Sequence, residues 1–161
     1  MKIGVIHSSF RLETRAAIKK AAEIALDGIQ LYTTSGDLDP KNLTPSGRKD
    51  LKQFVADQGL EISALCGDFG GHGFTDPATL EWRIGRTKEV VDLAVDLGTN
   101  VVTTHIGVVP EKRDNPAWSM LVQGLPEIGT YAADRGIFLA TETGPEPAVL
   151  LASLLDEVNN P

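Results

Sequence analysis

The sequence has little of several residue types, and each shortage excludes a class of protein. Of the 161 residues only Cys66 is a cysteine, so neither an internal disulfide framework nor a cysteine-rich zinc site can form. No apolar run approaches the roughly 18 residues of a membrane span. The first ten residues also lack the apolar core of a signal peptide. We therefore predict a cytoplasmic protein with no membrane association.

Basic residues are also few. Fifteen lysines and arginines face 22 acidic residues, which gives a net charge of −7. A nucleic-acid surface would need a local basic cluster to overcome the resulting repulsion, and none is visible. Arg83, Arg86 and Lys88 alternate with acidic residues and predict a solvated helix face. Nucleic-acid binding is therefore not expected.

The 42% hydrophobic content is typical of a globular protein, and the length predicts a single domain over residues 1–161. A cycle of short apolar run, polar loop, long amphipathic stretch and glycine recurs five times. The five apolar runs are Lys2–Ile6, Gly28–Tyr32, Glu61–Cys66, Asn100–Thr104 and Ile137–Thr141. Runs of this length and near-continuous apolarity predict strands that are buried on both faces.

The stretches between the runs carry helix start and stop signals. Three capping residues stand directly before a proline: Thr44, Asp76 and Asn115. Three glycines follow a helical stretch and precede the next strand: Gly59, Gly98 and Gly136. The apolar residues Leu80, Ile84, Val91 and Val95 predict one broad buried face on the helix from Pro77 to Leu97. A last helix is predicted from about Pro145 to Val158.

Strands that alternate with long helices imply βαβ crossovers and hence a parallel sheet of the α/β class. Five such units fit a partial TIM barrel, meaning five βα units of a (β/α)8 barrel. They fit an open five-stranded doubly wound sheet equally well, because the element count is the same.

Polar residues collect where the predicted strands end, which is where parallel α/β folds bind ligands. All three histidines fall there: His7, His72 and His105. Glu142 follows the fifth apolar run directly, and a metal ion would offset the cost of placing a carboxylate there. The alternative for Glu142 is a carboxylate that caps the next helix, and for His105 a packed histidine bonded to a backbone carbonyl. The residues alone leave the functional and the structural interpretation open for Glu142 and for His105.

Other candidates are weaker. Cys66 lies in an apolar run and is predicted to be an inert buried thiol. Trp82 and Trp118 both lie on helical stretches, so we predict that they serve packing.

Several segments resemble the xylose isomerase-like TIM barrels, which comprise sugar and sugar-phosphate isomerases and epimerases and include the AP endonucleases as relatives. The segments are MKIGV with Phe10-Arg11, ALDGIQLY at residues 25–32, ISALCGDFGGHGF at 62–74, VVTTHIG at 101–107 and ATETGPEP at 140–147. The resemblance extends over the whole chain and implies a divalent metal, commonly Mn²⁺, Mg²⁺, Co²⁺ or Zn²⁺. The metal would bind an open-chain ketose or aldose and stabilise its enediolate.

By this resemblance Glu142 is the strand-five metal ligand and a catalytic base. Glu146 matches an acid that contacts substrate, and His72 and His105 match positions that line the substrate pocket. His7 is added to these as a substrate-binding candidate. The substrate implied is a small sugar, a sugar phosphate or a polyol-derived ketone.

A TIM barrel takes about 250 residues, so the remaining ligands, from strands six to eight, would lie beyond Pro161. We therefore expect the 161 residues alone to be inactive. The edges of strands one and five would be free to pair, either with a second copy or with the missing half of the barrel.

Two other functions stay open at this stage. An AP endonuclease relative would use His72, His105 and Glu142 as ligands of a zinc cluster, although the net acidity argues against it. A phospho-receiver signalling domain, which also has five βα units, could use Asp68 and Thr104. It would, however, need a pair of acids where His7 and Ser8 stand and a lysine in place of Glu142.

Overall fold

The structure is a computed structural model that describes residues 1–142 and 144–159. Five strands alternate with five α-helices in this part of the chain. The elements are β1 (Gly4–Ile6), α1 (Thr14–Glu23), β2 (Gly28–Tyr32), α2 (Pro45–Asp57), β3 (Glu61–Cys66), α3 (Leu80–Leu97), β4 (Val101–His105), α4 (Pro116–Ala133), β5 (Phe138–Glu142) and α5 (Ala148–Val158). Short 3-10 helices follow β1 (His7–Phe10), β2 (Gly36–Leu38) and β3 (Gly73–Thr75). No helix of the described residues is long and apolar enough to cross a membrane.

The five strands form one parallel sheet in the order β1-β2-β3-β4-β5. Each strand therefore lies beside its predecessor, and every crossover runs in the same direction. Because such crossovers are right-handed, all the helices pack on one face of the sheet, as in a barrel. A doubly wound sheet reverses direction partway, as in the receiver order 2-1-3-4-5. The α/β partial TIM barrel is thus confirmed, and the doubly wound alternative is wrong, together with the receiver function that depended on it.

The main core lies between the sheet and its helices. Strand residues that point toward the helices are fully buried, including Ile29 and Leu31 of β2, Leu65 of β3 and Val102 of β4. A second cluster joins α4 and α5 to the loop after β3, with Phe74, Trp118 and Leu121 among its buried members. The packing role predicted for Trp118 is confirmed, because this side chain is 3% exposed.

In residues 1–142 and 144–159 no helix covers the opposite face of the sheet, so the prediction of strands buried on both faces is wrong for the edge strands. Exposure alternates along β5, and Phe138 is 65% exposed. This face would line the interior of a closed barrel. It is crossed by a hydrogen bond from Gln30 Nε2 to Thr103 Oγ1, 2.8 Å long, which links β2 to β4.

Strand β3 contains one residue more than β2 opposite it. Ile29 pairs with Ile62, but Gln30 pairs with Ala64, so Ser63 has no partner in β2 and forms a bulge. The bulge resets the alternation of β3. Leu65 therefore points toward the helices, while Cys66 pairs with Tyr32 on the open face.

Most of the predicted helix ends are confirmed. Thr44 Oγ1 accepts the N–H of Gly47, and Asn115 Oδ1 accepts the N–H of Ala117. The three glycines Gly59, Gly98 and Gly136 all have positive φ.

Two predicted helix starts are wrong. Helix α3 begins at Leu80 and not at Pro77, because Asp76 caps a separate turn by accepting the N–H of Ala78. Helix α5 begins at Ala148 and not at Pro145.

The side chains of α3 differ most from the sequence-based expectation. Arg83 and Arg86, predicted on a solvated face, are only 8% and 5% exposed. Val95 is 47% exposed although the periodicity placed it inside. Trp82 is 51% exposed and packs outside the buried core, in a T-shaped contact with Phe69 whose ring centroid is 5.2 Å away. The cause is that α3 packs against α2 and α4 as well as against the sheet, so its buried surface is wider than one apolar stripe and is rotated from it.

Candidate active site at the carboxyl ends of the strands

Two of the predicted site residues meet at the carboxyl edge of the sheet. His105 ends β4 and Glu142 ends β5, and they are direct partners in the strand register. Their side chains therefore lie on the same open face of the sheet. Nε2 of His105 is 3.3 Å from Oε2 of Glu142, and the two side chains are 44% and 59% exposed. The pair is therefore accessible to a small molecule on the face that helices do not cover.

The third residue at this edge, His7, is already engaged. It opens the 3-10 helix after β1, and its Nδ1 accepts the backbone N–H of Tyr32 at 3.2 Å. Burial lowers the pKa of His7, although a backbone group of Gln30 and the charge of Asp37 oppose that effect. The imidazole thus links the end of β1 to β2 through Nδ1.

His72 lies apart from this pair. It is exposed at the start of the Gly73–Thr75 turn, and its backbone carbonyl accepts the N–H and Oγ1 of Thr75 at 3.2 and 2.6 Å. The turn packs on the loop after β4, where the N–H of Phe74 donates to the carbonyl of Ile106 at 2.9 Å. The loop of His72 therefore adjoins the loop that follows His105.

Glu146 lies in the loop after β5. Its Oε1 accepts the N–H of Gly144 at 2.8 Å, and its Oε2 is enclosed without a donor among the described residues. The side chain of Thr143, between Glu142 and Gly144, lies outside the described residues. Glu146 thus carries a carboxylate oxygen that can still accept a hydrogen bond.

A layer of polar groups that the sequence reasoning missed lies near the pair. Gln30 and Thr103 form their hydrogen bond on the open face, and Thr103 lies two residues before His105 on the same strand. The Tyr32 hydroxyl donates to the carbonyl of Asp68 at 2.7 Å, which links the ends of β2 and β3. A glutamine in the middle of the apolar run GIQLY was the available sequence signal, because a buried strand otherwise avoids an amide.

Cys66 belongs to the same open face but is 6% exposed. Burial raises the pKa of its thiol and keeps it in the neutral, weakly nucleophilic form. This agrees with the interpretation of Cys66 as an inert thiol.

The residues present account for only part of a metal site. In residues 1–142 and 144–159 no group of three or more His, Cys, Asp and Glu side chains is arranged to hold a metal ion. His72 therefore does not complete a three-ligand zinc cluster with His105 and Glu142, as the endonuclease alternative requires. The chemistry of the His105–Glu142 pair fits two ligand positions at most, and a full set would need further donors.

Comparison with known families agrees with this architecture. The profile of the xylose isomerase-like TIM barrel family matches residues 18–161. The chain belongs to this family. A search of curated proteins found no significant match to the chain.

Solved structures share the xylose isomerase-like fold. The xylose isomerase domain protein from Planctomyces limnophilus superposes with a TM-score of 0.84 at 23% identity, over 99% of this chain and 60% of that one. A D-psicose 3-epimerase crystallised in the presence of D-fructose gives a TM-score of 0.77 at 15% identity, over 99% and 61% of the two chains. A xylose isomerase-like protein from Mycobacterium smegmatis in complex with magnesium gives 0.76 at 17% identity, again over 99% and 61%. The 161 residues therefore span about 60% of the length of these family members.

Proposed function

We propose that this chain carries part of the active site of a metal-dependent isomerase or epimerase. Its substrate would be a small sugar, a sugar phosphate or a polyol-derived ketone. The observation that carries the proposal is the in-register pair of His105 and Glu142, exposed together at the carboxyl edge of the sheet. Membership of the xylose isomerase-like family and similarity to a D-psicose 3-epimerase support the reaction class.

Glu142 is the candidate base. An exposed carboxylate at this edge can remove the proton on the carbon next to the substrate carbonyl. The electron pair of the broken C–H bond then forms the enediolate. Return of the proton to the neighbouring carbon gives an isomer, and return to the opposite face of the same carbon gives an epimer. His105, at 3.3 Å, orients the carboxylate.

Glu146 and His7 are candidates for contact with substrate hydroxyls. Glu146 follows Glu142 in the loop after β5, and His7 lies at the carboxyl end of β1. Their carboxylate and imidazole groups would add hydrogen-bonding partners for a polyhydroxy substrate at the carboxyl edge of the sheet.

A divalent cation, when bound, would polarise the carbonyl and hydroxyl oxygens of the substrate. Glu142 would be a ligand to it, and His105 would be the second ligand from this chain. The magnesium complex of the Mycobacterium smegmatis protein supports this part of the proposal. We expect the affinity for metal to be weak, because two donors are few for Mg²⁺ or Mn²⁺.

Titration of the 161-residue chain with Mn²⁺ tests the proposal. We expect weak, saturable binding that falls at least tenfold in Glu142→Gln and more modestly in His105→Asn. Glu146→Gln is the matched control, because it neutralises an acid four residues beyond Glu142. The amide oxygen of the introduced glutamine can still accept the N–H of Gly144. Binding that is unchanged in Glu142→Gln would refute the ligand assignment.

Turnover is tested separately. Since the chain spans about 60% of its relatives, we expect no exchange of solvent deuterium into D-fructose or D-psicose by the 161 residues alone. Exchange that depends on Glu142 would show that this part of the barrel is sufficient for proton abstraction.

A further inference from the structure

Arg83, in the first turn of α3, is a buried cation without an anionic partner. The residue is 8% exposed, and its Nε donates to Thr79 Oγ1 of the preceding turn at 3.2 Å. No carboxylate of the described residues forms an ion pair with it. Arg86, one turn further along and equally buried, instead pairs with both Asp39 and Glu89. Arginine remains charged in proteins, so a largely buried guanidinium without a carboxylate partner can bind an anion from solvent through its free terminal nitrogens.

The tip of the Arg83 side chain reaches the glycine-rich loop after β3. Its Nη2 lies 3.2 Å from the position that a Cβ would occupy on Gly71. Neither Nη atom has a hydrogen-bond partner in the described residues. The unpaired side-chain atoms that are fully enclosed in this part of the chain are Thr87 Oγ1 and Glu146 Oε2, so the two Nη atoms are not fully enclosed. The terminal nitrogens therefore remain accessible to an ion from solvent.

The loop adds backbone donors at the same place. Gly70 donates its N–H to Asp68 Oδ1, and Phe74 donates to Ile106, but the N–H groups of Gly71 and His72 have no acceptor in the described residues. Gly70 and Gly71 both have positive φ, at 64° and 66°, a backbone conformation that side chains larger than glycine disfavour. The two amides thus belong to the loop that the Arg83 Nη2 atom reaches, and the guanidinium is held there by Thr79 and by the Trp82 ring, 5.8 Å from its Cζ.

We propose that Arg83 and the Gly71–His72 backbone form an anion site for the phosphate group of the substrate. A guanidinium offers forked donors that match phosphate oxygens, and backbone N–H groups complete such sites in many proteins. This inference rests on the proposed function and narrows it from sugars in general to phosphorylated sugars.

The position of the loop suits that role. The backbone carbonyl oxygen of His72 lies close to Gly107, because a Cβ built on Gly107 would be 2.4 Å from that oxygen. Gly107 is two residues beyond His105 in the chain. An open cleft of about 520 Å³ begins at the same loop, with Gly70, Trp82 and Tyr32 on its wall. This volume lies within the roughly 300–1,000 Å³ of small-molecule sites. The proposed anion site thus adjoins this cleft through Gly70 and Trp82, the chain neighbours of Gly71 and Arg83.

The test is a titration of the ¹⁵N-labelled 161-residue chain with inorganic phosphate, with chloride keeping the ionic strength constant. We expect saturable shifts at the amides of Gly71 and His72, and weaker shifts with acetate. Arg83→Gln should weaken binding at least tenfold, and Arg83→Lys at least threefold, because lysine keeps the charge but loses the fork. Lys88→Gln, the same charge change at a lysine of α3 that pairs with Glu127, should bind as the wild type does.

The anion site would be overturned if the amides of Gly71 and His72 did not shift. It would also be overturned if both Arg83 variants bound phosphate with the wild-type affinity. Arg83→Lys keeps the test decisive if Arg83→Gln does not fold. D-fructose 6-phosphate should compete with phosphate, and D-fructose should not. Glu142→Gln should leave phosphate binding intact, so a failure of the anion site and a failure of the metal-ligand proposal give different results.

Discussion

The Nδ1 atom of His7 accepts the backbone N–H of Tyr32 at 3.2 Å, so the first strand is joined to the second through a neutral imidazole. A protonated His7 could not accept this bond. Because burial lowers the pKa of His7 in the folded chain, the unfolded chain takes up a proton first as the pH falls. The contribution of His7 to stability is therefore complete above about pH 6.5, the pKa of histidine in the unfolded chain, and it is lost as the pH falls through the lower pKa of the folded chain.

We accordingly predict that His7→Gln reduces the loss of unfolding free energy between about pH 7 and pH 5. Glutamine offers a carbonyl oxygen to the Tyr32 N–H but does not titrate in this range. Urea denaturation at a series of pH values measures the effect. His72→Gln is the matched control, since His72 is exposed, and it should keep the wild-type slope.

The buried pair of Asp39 and Arg86 leads to a second prediction. Burial alone would raise the pKa of Asp39, but hydrogen bonds from Arg86 and from the Lys41 N–H, with the charges of both residues, hold it below its usual value. Stability from this group is thus present above about pH 4, the ordinary pKa, and is lost as the pH falls through the lower folded value.

Asp39→Asn should lower the unfolding free energy at pH 7 by about 3 kcal/mol, because it leaves a buried guanidinium with only Glu89 as partner. The unfolding free energy of Asp39→Asn should also fall less below about pH 4 than that of the wild type, because asparagine does not titrate. Asp50→Asn removes a carboxylate from an exposed pair with Arg15 and should change stability by less than about 1 kcal/mol. Equal effects of the two substitutions would contradict the importance of burial.

The loop after β3 should tolerate alanine at one glycine and reject it at another. A Cβ on Gly73 would lie 2.3 Å from the backbone nitrogen of Gly107, whereas a Cβ on Gly70 would meet nothing within 4 Å. Both residues have positive φ, so Gly70→Ala measures the conformational cost alone, about 1–2 kcal/mol. Gly73→Ala should lower the melting temperature clearly further, because the two loops must separate. Similar melting temperatures for the two variants would be evidence against that packing.

The uncovered edge of β5 predicts self-association. Phe138 is 65% exposed at a groove of about 330 Å³, whose wall includes Leu125 and Leu155. An unpaired parallel edge beside apolar surface favours pairing with a second copy. Light scattering after size exclusion should give a mass above the 17.2 kDa of one chain.

Phe138→Lys should shift the molecule towards the monomer. Ile24→Lys, a charge at an apolar residue that is 51% exposed at the end of α1, should not. A wild-type chain that stays monomeric at high concentration would contradict this prediction.

Local chemistry made much of the fold predictable. Thr44 and Asn115 cap helices because each side chain accepts an N–H of the first turn and the proline that follows begins the helix. The same signal at Asp76 marks only a turn before α3. The interior strand boundaries of β2 and β3 follow from compact apolar runs between polar residues. The meeting of His105 and Glu142 at one edge also follows from the sequence, because parallel strands end together.

What could not be predicted depends on contacts between distant segments. The burial of Arg83 and Arg86 requires the loops after β2 and β3 to fold over α3, and nothing in the spacing of the α3 residues encodes those loops. The engagement of His7 likewise depends on the register of β1 against β2. Periodicity identifies an apolar stripe on a helix, but it does not show which charged side chains a neighbouring loop will cover.

The extra residue at Ser63 has a consequence for how the length of this chain can vary. Ser63 is the residue of β3 that has no partner in β2, so removing it would leave Ile62, Ala64 and Leu65 opposite the same partners and keep Leu65 toward the helices. A deletion at Leu65, beyond the bulge, would instead shift Cys66 by one position and turn it toward the helices. One or two residues added near Gly36, where a side chain would meet nothing, would only lengthen a surface turn. In natural or engineered variants we expect β3 to lose a residue only at the bulge, while the surface turn at Gly36–Leu38 is free to change in length.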